Sequence, residues 1–137
     1  MDAKGGMVLG EDNIEGRTDL HQRSSPKQYR ENLTRLVEQL QATGAKVIWA
    51  STTQIASRKG KRLDASPELN KVAAEVMQAH NVAIDDLYGF TLPHLKEWQT
   101  PDQCHFNAQG NRELGKQVAI SIREALGATP NGGSARK

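Results

Sequence analysis

Leu33-Thr34-Arg35-Leu36-Val37-Glu38-Gln39-Leu40-Gln41-Ala42-Thr43-Gly44-Ala45-Lys46-Val47-Ile48-Trp49-Ala50 is the stretch that decides the fold. Leu33, Leu36, Val37 and Leu40 fall at i, i+3, i+4 and i+7, one face of an amphipathic helix. Gly44 then stands where a helix C-cap would. The run from Lys46 to Ala50 is β-branched and aromatic and is bounded by turn residues, the pattern of a buried parallel strand.

Ser25-Pro26 suits the start of that helix, with Ser able to cap and Pro suited to the first turn. After the strand, residues 52–65 are polar and carry Arg58, Lys59, Lys61 and Arg62. They read as a solvated loop, with an anion site as the alternative. Ser66-Pro67-Glu68 opens a second helix with Leu69, Val72, Ala73 and Val76 on one face. Val82-Ala83-Ile84 is a second short strand. It ends in Asp85-Asp86, which either touch a pocket at the strand end or cap the next short helix. Leu87 to Trp98 reads as a short helix broken near Pro93. Asn107 caps a third long helix with Leu114, Val118, Ile122 and Leu126 along one stripe. Trp49 is expected in the core beneath the sheet.

The two ends differ from this core. Residues 1–27 hold few apolar side chains in no regular period and read as a loop or disordered arm. Residues 127–137, rich in Gly, Ser and Pro, read as a flexible tail. Residues 28–126 form the single domain, as 137 residues allow.

Composition excludes several classes. The net charge of +2 is too small for the concentrated basic stripe of a nucleic-acid binder. One Cys excludes an internal disulfide and a cysteine-rich zinc module. No apolar run approaches the ~20 residues of a membrane span. Residues 1–6 carry no apolar stretch of a signal peptide; the compartment is left open, since the leader of an exported longer parent would lie upstream of Met1.

Helix, strand, helix, strand, short helix, helix implies a parallel sheet covered on both faces. Two strands are too few for one, because both edges stay unpaired. The pattern therefore reads as the C-terminal part of a larger α/β domain. The alternative is a small three-helix domain centred on two hydrophobic strands.

Chemistry concentrates in Thr100-Pro101-Asp102-Gln103-Cys104-His105-Phe106-Asn107-Ala108-Gln109-Gly110. Asp102 and His105 are two residues apart and a helix begins just after them. A loop there can turn the carboxylate onto the imidazole. An Asp that accepts from one ring nitrogen fixes the tautomer and leaves the other nitrogen as a base. Taken alone, this spacing more commonly describes a capping Asp and a partly exposed His.

The wider context is more specific. Residues 28–33, Thr43 to Thr53, Val82 to Tyr88, and Asp102-Gln103-Cys104-His105-Phe106 followed by a Gly-containing helix start together resemble the C-terminal half of SGNH/GDSL-type hydrolases. These are esterases, lipases and carbohydrate deacetylases. The resemblance covers roughly residues 28–126. It implies a three-layer α/β/α, flavodoxin-like fold, here incomplete, with parallel strands near 46–50 and 82–85 and a site at their carboxyl ends. It implies His105 as general base, Asp102 as the residue that orients it, and a small ester or acylated sugar as substrate. It implies no metal and no organic cofactor.

The chain departs from that family where the nucleophile belongs. No Gly-Asp-Ser occurs, and the first strand, the nucleophile helix and the oxyanion segment have no counterpart. No nucleophile is therefore expected in this chain, and the chain alone is expected to be inactive. The alternative function is a non-catalytic binding or oligomerising module that pairs its open sheet edge.

Ser51, at the carboxyl end of the first strand, is the best-placed hydroxyl. It reads as lining a substrate pocket together with Thr52 and Trp98. Ser51 also fits a turn hydroxyl, and Trp98 also fits an anchor for the loop. Ser24, Ser25 and Ser66 read as helix caps and Ser57 as a loop residue. Cys104 reads as a half-buried structural thiol, and His21 and His80 as surface residues. His94, Glu97, Asp102, Cys104 and His105 lack an i, i+4 His pair or a Cys-x-x-Cys, so no metal site is expected.

Overall fold

This computed structural model describes residues 24–55 and 66–127. The arm up to residue 23, with His21, lies outside the described residues. So do Ser57, the basic stretch 58–62 and the tail beyond Gly127.

The first helix, α1, spans Pro26–Ala42. Its start follows from a capping box. The Ser25 hydroxyl accepts from the Gln28 amide at 3.2 Å, and the Gln28 carboxamide accepts from the Ser25 amide at 3.0 Å, so two otherwise orphaned donors are satisfied. Pro26 fills the first position, where no amide is needed. Gly44 ends the helix at φ +79, the left-handed conformation that glycine adopts without a Cβ penalty. Of the serines expected as caps, Ser25 is one. Ser66 is the first residue of its helix and donates to the Thr53 carbonyl at 3.5 Å.

The chain then runs through β1 (Ile48–Ala50), α2 (Ser66–Ala79) and β2 (Ala83–Asp85). The strands pair in parallel, with Ile48 opposite Ala83, Trp49 opposite Ile84 and Ala50 opposite Asp85. Next come α3 (Leu87–Thr91), a 3-10 turn over Leu92–His94 that contains the expected break at Pro93, α4 (Leu95–Trp98) and α5 (Ala108–Ala125).

Strand alternation sorts the side chains into two layers. Val47, Trp49 and Val82 join Leu33 and Val37 of α1 and Val76 and Met77 of α2 in the core cluster. Asp85 lies on the opposite face, where its carboxylate accepts from Gln117 of α5 at 3.1 Å. The architecture is therefore α/β with helices on both faces of a two-stranded parallel sheet, an incomplete three-layer fold. Arg30 pairs with Glu75 across α1 and α2, and Gln41 donates to the His80 carbonyl at 2.7 Å. No described helix is long and apolar enough to cross a membrane.

Four expectations are corrected. The strands are not buried throughout: Ala50, Ala83 and Ile84 are exposed, because two strands leave both edges without a neighbour among the described residues. On α1, Val37 is buried, but Leu36 and Leu40 remain 50% and 42% exposed. The helix meets α2 through Val37, and no described element covers its Leu36–Leu40 flank. On α5, Ile122 and Leu126 are exposed, while Leu114, Gln117, Val118, Ser121 and Ala125 are half-buried. A strict i+4 stripe drifts about 40° per step around a helix of 3.6 residues per turn, so its later members leave the sheet. His80 is also not a plain surface residue. Its Nδ1 lies 2.8 Å from the Val76 carbonyl at the end of α2, and its side chain is only 22% exposed.

Candidate functional site

Residues 99–106 form a hairpin-like loop between α4 and α5. Gln99 and Phe106 make an antiparallel bridge at its base, and the Thr100 amide donates to the His105 carbonyl at 2.9 Å. At its tip the Gln103 amide donates to the Thr100 carbonyl at 2.9 Å. That closes a turn with Pro101 at the position whose φ proline pre-sets. Gln103 follows at φ +58, which lets the chain reverse.

The loop base is fixed by the start of α5. The Asn107 carboxamide oxygen accepts from the Gly110 amide at 2.9 Å, which is the expected cap. Its Nδ2 donates to the Glu97 carbonyl at 2.8 Å, and its backbone amide donates to the Trp98 carbonyl at 2.8 Å. Gly110 allows this approach. A Cβ there would lie 2.8 Å from Trp98 Cβ, 2.9 Å from the Trp98 carbonyl oxygen and 3.0 Å from Phe106 Cδ1.

Within this frame the Asp102 carboxylate gathers four donors. Oδ1 accepts from the Thr100 hydroxyl at 2.6 Å and from the amides of Cys104 and His105 at 3.0 Å each. Oδ2 lies 2.5 Å from His105 Nδ1. The His105 ring hydrogen bond, then the Thr100 hydroxyl, then the two amides hold this carboxyl well below the usual carboxylate range. The imidazole stands 78% exposed. The structure thus brings together the expected pair, Asp102 and His105, on one face of an open loop. Cys104 is half-buried.

The three side chains expected to line a pocket are placed differently. Ser51 is 6% exposed, and its hydroxyl is spent on the start of α3. It accepts from the Tyr88 amide at 2.8 Å and donates to Asp86 at 3.0 Å. Asp86 caps α3 through the Gly89 amide, and Asp85 is buried against Gln117. Thr52 is exposed, with its amide and carbonyl both clamped by the Asn70 side chain at 2.9 and 2.8 Å. Trp98 is 6% exposed, stacked on His94 at 4.0 Å and tilted against Phe90 at 5.6 Å. Its indole is enclosed by these neighbours and does not line the groove beside the loop. The open groove of about 510 Å³ beside the loop is lined instead by Leu95, Lys96, Gln99, Thr100, Pro101 and Gln103.

Two contributors were not singled out from the sequence. Thr100 has no role in the sequence reading, because a bond from its hydroxyl to a side chain two residues on has no sequence signature. Gln99 donates from Nε2 to the Gln54 carbonyl at 2.8 Å and ties the loop to the segment after β1; nothing in the sequence marks that long-range contact. Among the described residues no three His, Cys, Asp or Glu side chains gather as a metal site requires.

The model of the GDSL-like lipase/acylhydrolase family matches residues 15–113. The chain belongs to this family. A similar solved structure is the lipase/acylhydrolase from Enterococcus faecalis, at 29% identity and a TM-score of 0.64 over 83% of this chain and 57% of that one. The alpha/beta hydrolase LAE5 from the metagenome of Lake Arreo, Spain, is similar in fold, at 20% identity and a TM-score of 0.59 over 85% and 53%. The chain therefore spans a little over half the length of these relatives. No curated protein matches it.

Two outcomes are expected. Gly110→Ala forces α5 away from Trp98 and costs about 1–3 kcal/mol in urea unfolding, with shifted amide resonances across residues 99–107. Asp102, held below its ordinary range, adds stability above that range and loses it as the pH falls. The Cys104 and His105 amide shifts should therefore hold at about pH 5 and change only below 3.8. Loss of the bonded state already near pH 6 would contradict this geometry.

Proposed function

We propose that this chain carries the general base and its orienting acid for ester hydrolysis by a serine acyl-enzyme mechanism. The observation that supports this most is the 2.5 Å contact between Asp102 Oδ2 and His105 Nδ1, on a loop that leaves the ring open to solvent. Asp102 holds the Nδ1 proton and so presents Nε2 as the base. His105 takes the proton of a serine hydroxyl as that oxygen attacks the ester carbonyl, and returns it to the leaving alcohol. Water then repeats the sequence to release the acid.

The serine and the oxyanion donors belong to the part of the family domain that this chain does not span. Each such donor is worth roughly 3–4 kcal/mol of transition-state stabilisation. The chain alone is accordingly inactive. A small ester or an acylated carbohydrate suits the groove, whose lining joins apolar Leu95 and Pro101 to polar Lys96, Gln99 and Gln103.

A second reading, a module that pairs its open sheet edge with a partner or a second copy, is favoured by the exposure of Ile84 on β2, and of Leu36 and Leu40 on α1.

The chain alone should show no p-nitrophenyl acetate turnover above buffer. Residues 99–111 grafted in place of the matching segment of the Enterococcus faecalis lipase/acylhydrolase should support hydrolysis. His105→Ala or Asp102→Asn in that graft should lower kcat by about 10⁴-fold. A graft whose activity survives His105→Ala would overturn the catalytic reading. For the associating module, light scattering should show a concentration-dependent dimer that Leu36→Glu weakens; a monomer at all concentrations would remove that reading.

A further inference from the structure

We infer that Thr100 is a positioning residue for the Asp102–His105 pair: its hydroxyl braces the carboxylate from the opposite arm of the loop and so fixes which ring nitrogen of His105 carries the proton. The inference rests on the proposed catalytic role of that pair and adds the residue that sets its orientation.

The loop has two arms. The amides of Cys104 and His105 approach Asp102 Oδ1 from the C-terminal arm, while the Thr100 hydroxyl reaches the same oxygen from the N-terminal arm at 2.6 Å. Two donors on one side hold the oxygen in the turn, and rotation about the Cβ–Cγ bond is a soft torsion. A donor from across the loop narrows that torsion and helps aim Oδ2 at His105 Nδ1.

The hydroxyl has one proton and two acceptors within reach, Asp102 Oδ1 at 2.6 Å and the His105 carbonyl at 3.2 Å. The shorter contact is to the charged group, where a hydrogen bond is roughly twice as strong. The His105 carbonyl already accepts from the Thr100 amide at 2.9 Å, so it does not depend on the hydroxyl. Backbone pairing thus fixes the loop, and the hydroxyl serves the carboxylate. The effect of its removal should fall on the pair and spare the fold.

The test is nitrogen-15 NMR of the His105 ring in the full chain, with a carboxyl titration of Asp102, for the wild type, Thr100→Val and Thr100→Ser. The wild type should show His105 protonated at Nδ1. Thr100→Val, similar in shape but without the hydroxyl, should raise the population of the other tautomer about tenfold and raise the Asp102 midpoint by about one unit. Thr100→Ser should restore both. An unchanged tautomer ratio and midpoint in Thr100→Val would overturn the inference. Should the valine variant lose the loop amide pattern, the serine variant decides, and a shift in Thr100→Ser as large as in Thr100→Val would overturn it too. Absence of the Nδ1-protonated tautomer in the wild type would instead count against the pair itself, so the two failures are distinguishable.

Discussion

The backbone hydrogen bond from the Asn107 amide to the Trp98 carbonyl, at 2.8 Å, closes the base of the loop on which the candidate site stands. It requires the first turn of α5 to approach the end of α4 closely, and the missing side chain at Gly110 permits that approach. Asn107 adds a cap on one side and a bond to the Glu97 carbonyl on the other. Trp98 supplies the mass that holds this junction, stacked on His94 and tilted against Phe90. The loop inherits its rigidity from the two helices it joins.

The described bonds to the Asp102 carboxylate come from residues 100–105, whereas the sheet depends on pairing between distant segments. Parallel strands need partners far away in sequence, and among the described residues the two strands leave both edges open. A chain spanning a little over half the length of these relatives holds this geometry. The exposed Leu36, Leu40 and Ile84 belong to the same asymmetry: the apolar pattern extends further than the described elements cover.

That asymmetry also explains what could be read in advance. Helix starts were legible, because Ser25, Asn107 and Asp86 cap through neighbours three residues away. The core line through Val37, Val76 and Val82 was legible as periodicity. The face of α5 was not, because a stripe drawn at i+4 drifts off the sheet by Ile122. Ser51 looked like a pocket hydroxyl from its place at a strand end, yet the nearby start of α3 claims it. The Asp102–His105 contact followed from spacing and resemblance. The Thr100 brace and the Gln99–Gln54 tie required coordinates, since the first depends on a rotamer and the second on a contact across 45 residues.

The most direct test of the account is native-state amide hydrogen exchange at Thr100 and Asn107 compared with the interior of α5. If the loop is held by the helices it joins, both amides are protected and open together with the first turns of α5. Exchange at Thr100 and Asn107 at the rate of an open chain, while α5 stays protected, would show that the loop moves independently and would contradict a preformed Asp102–His105 pair.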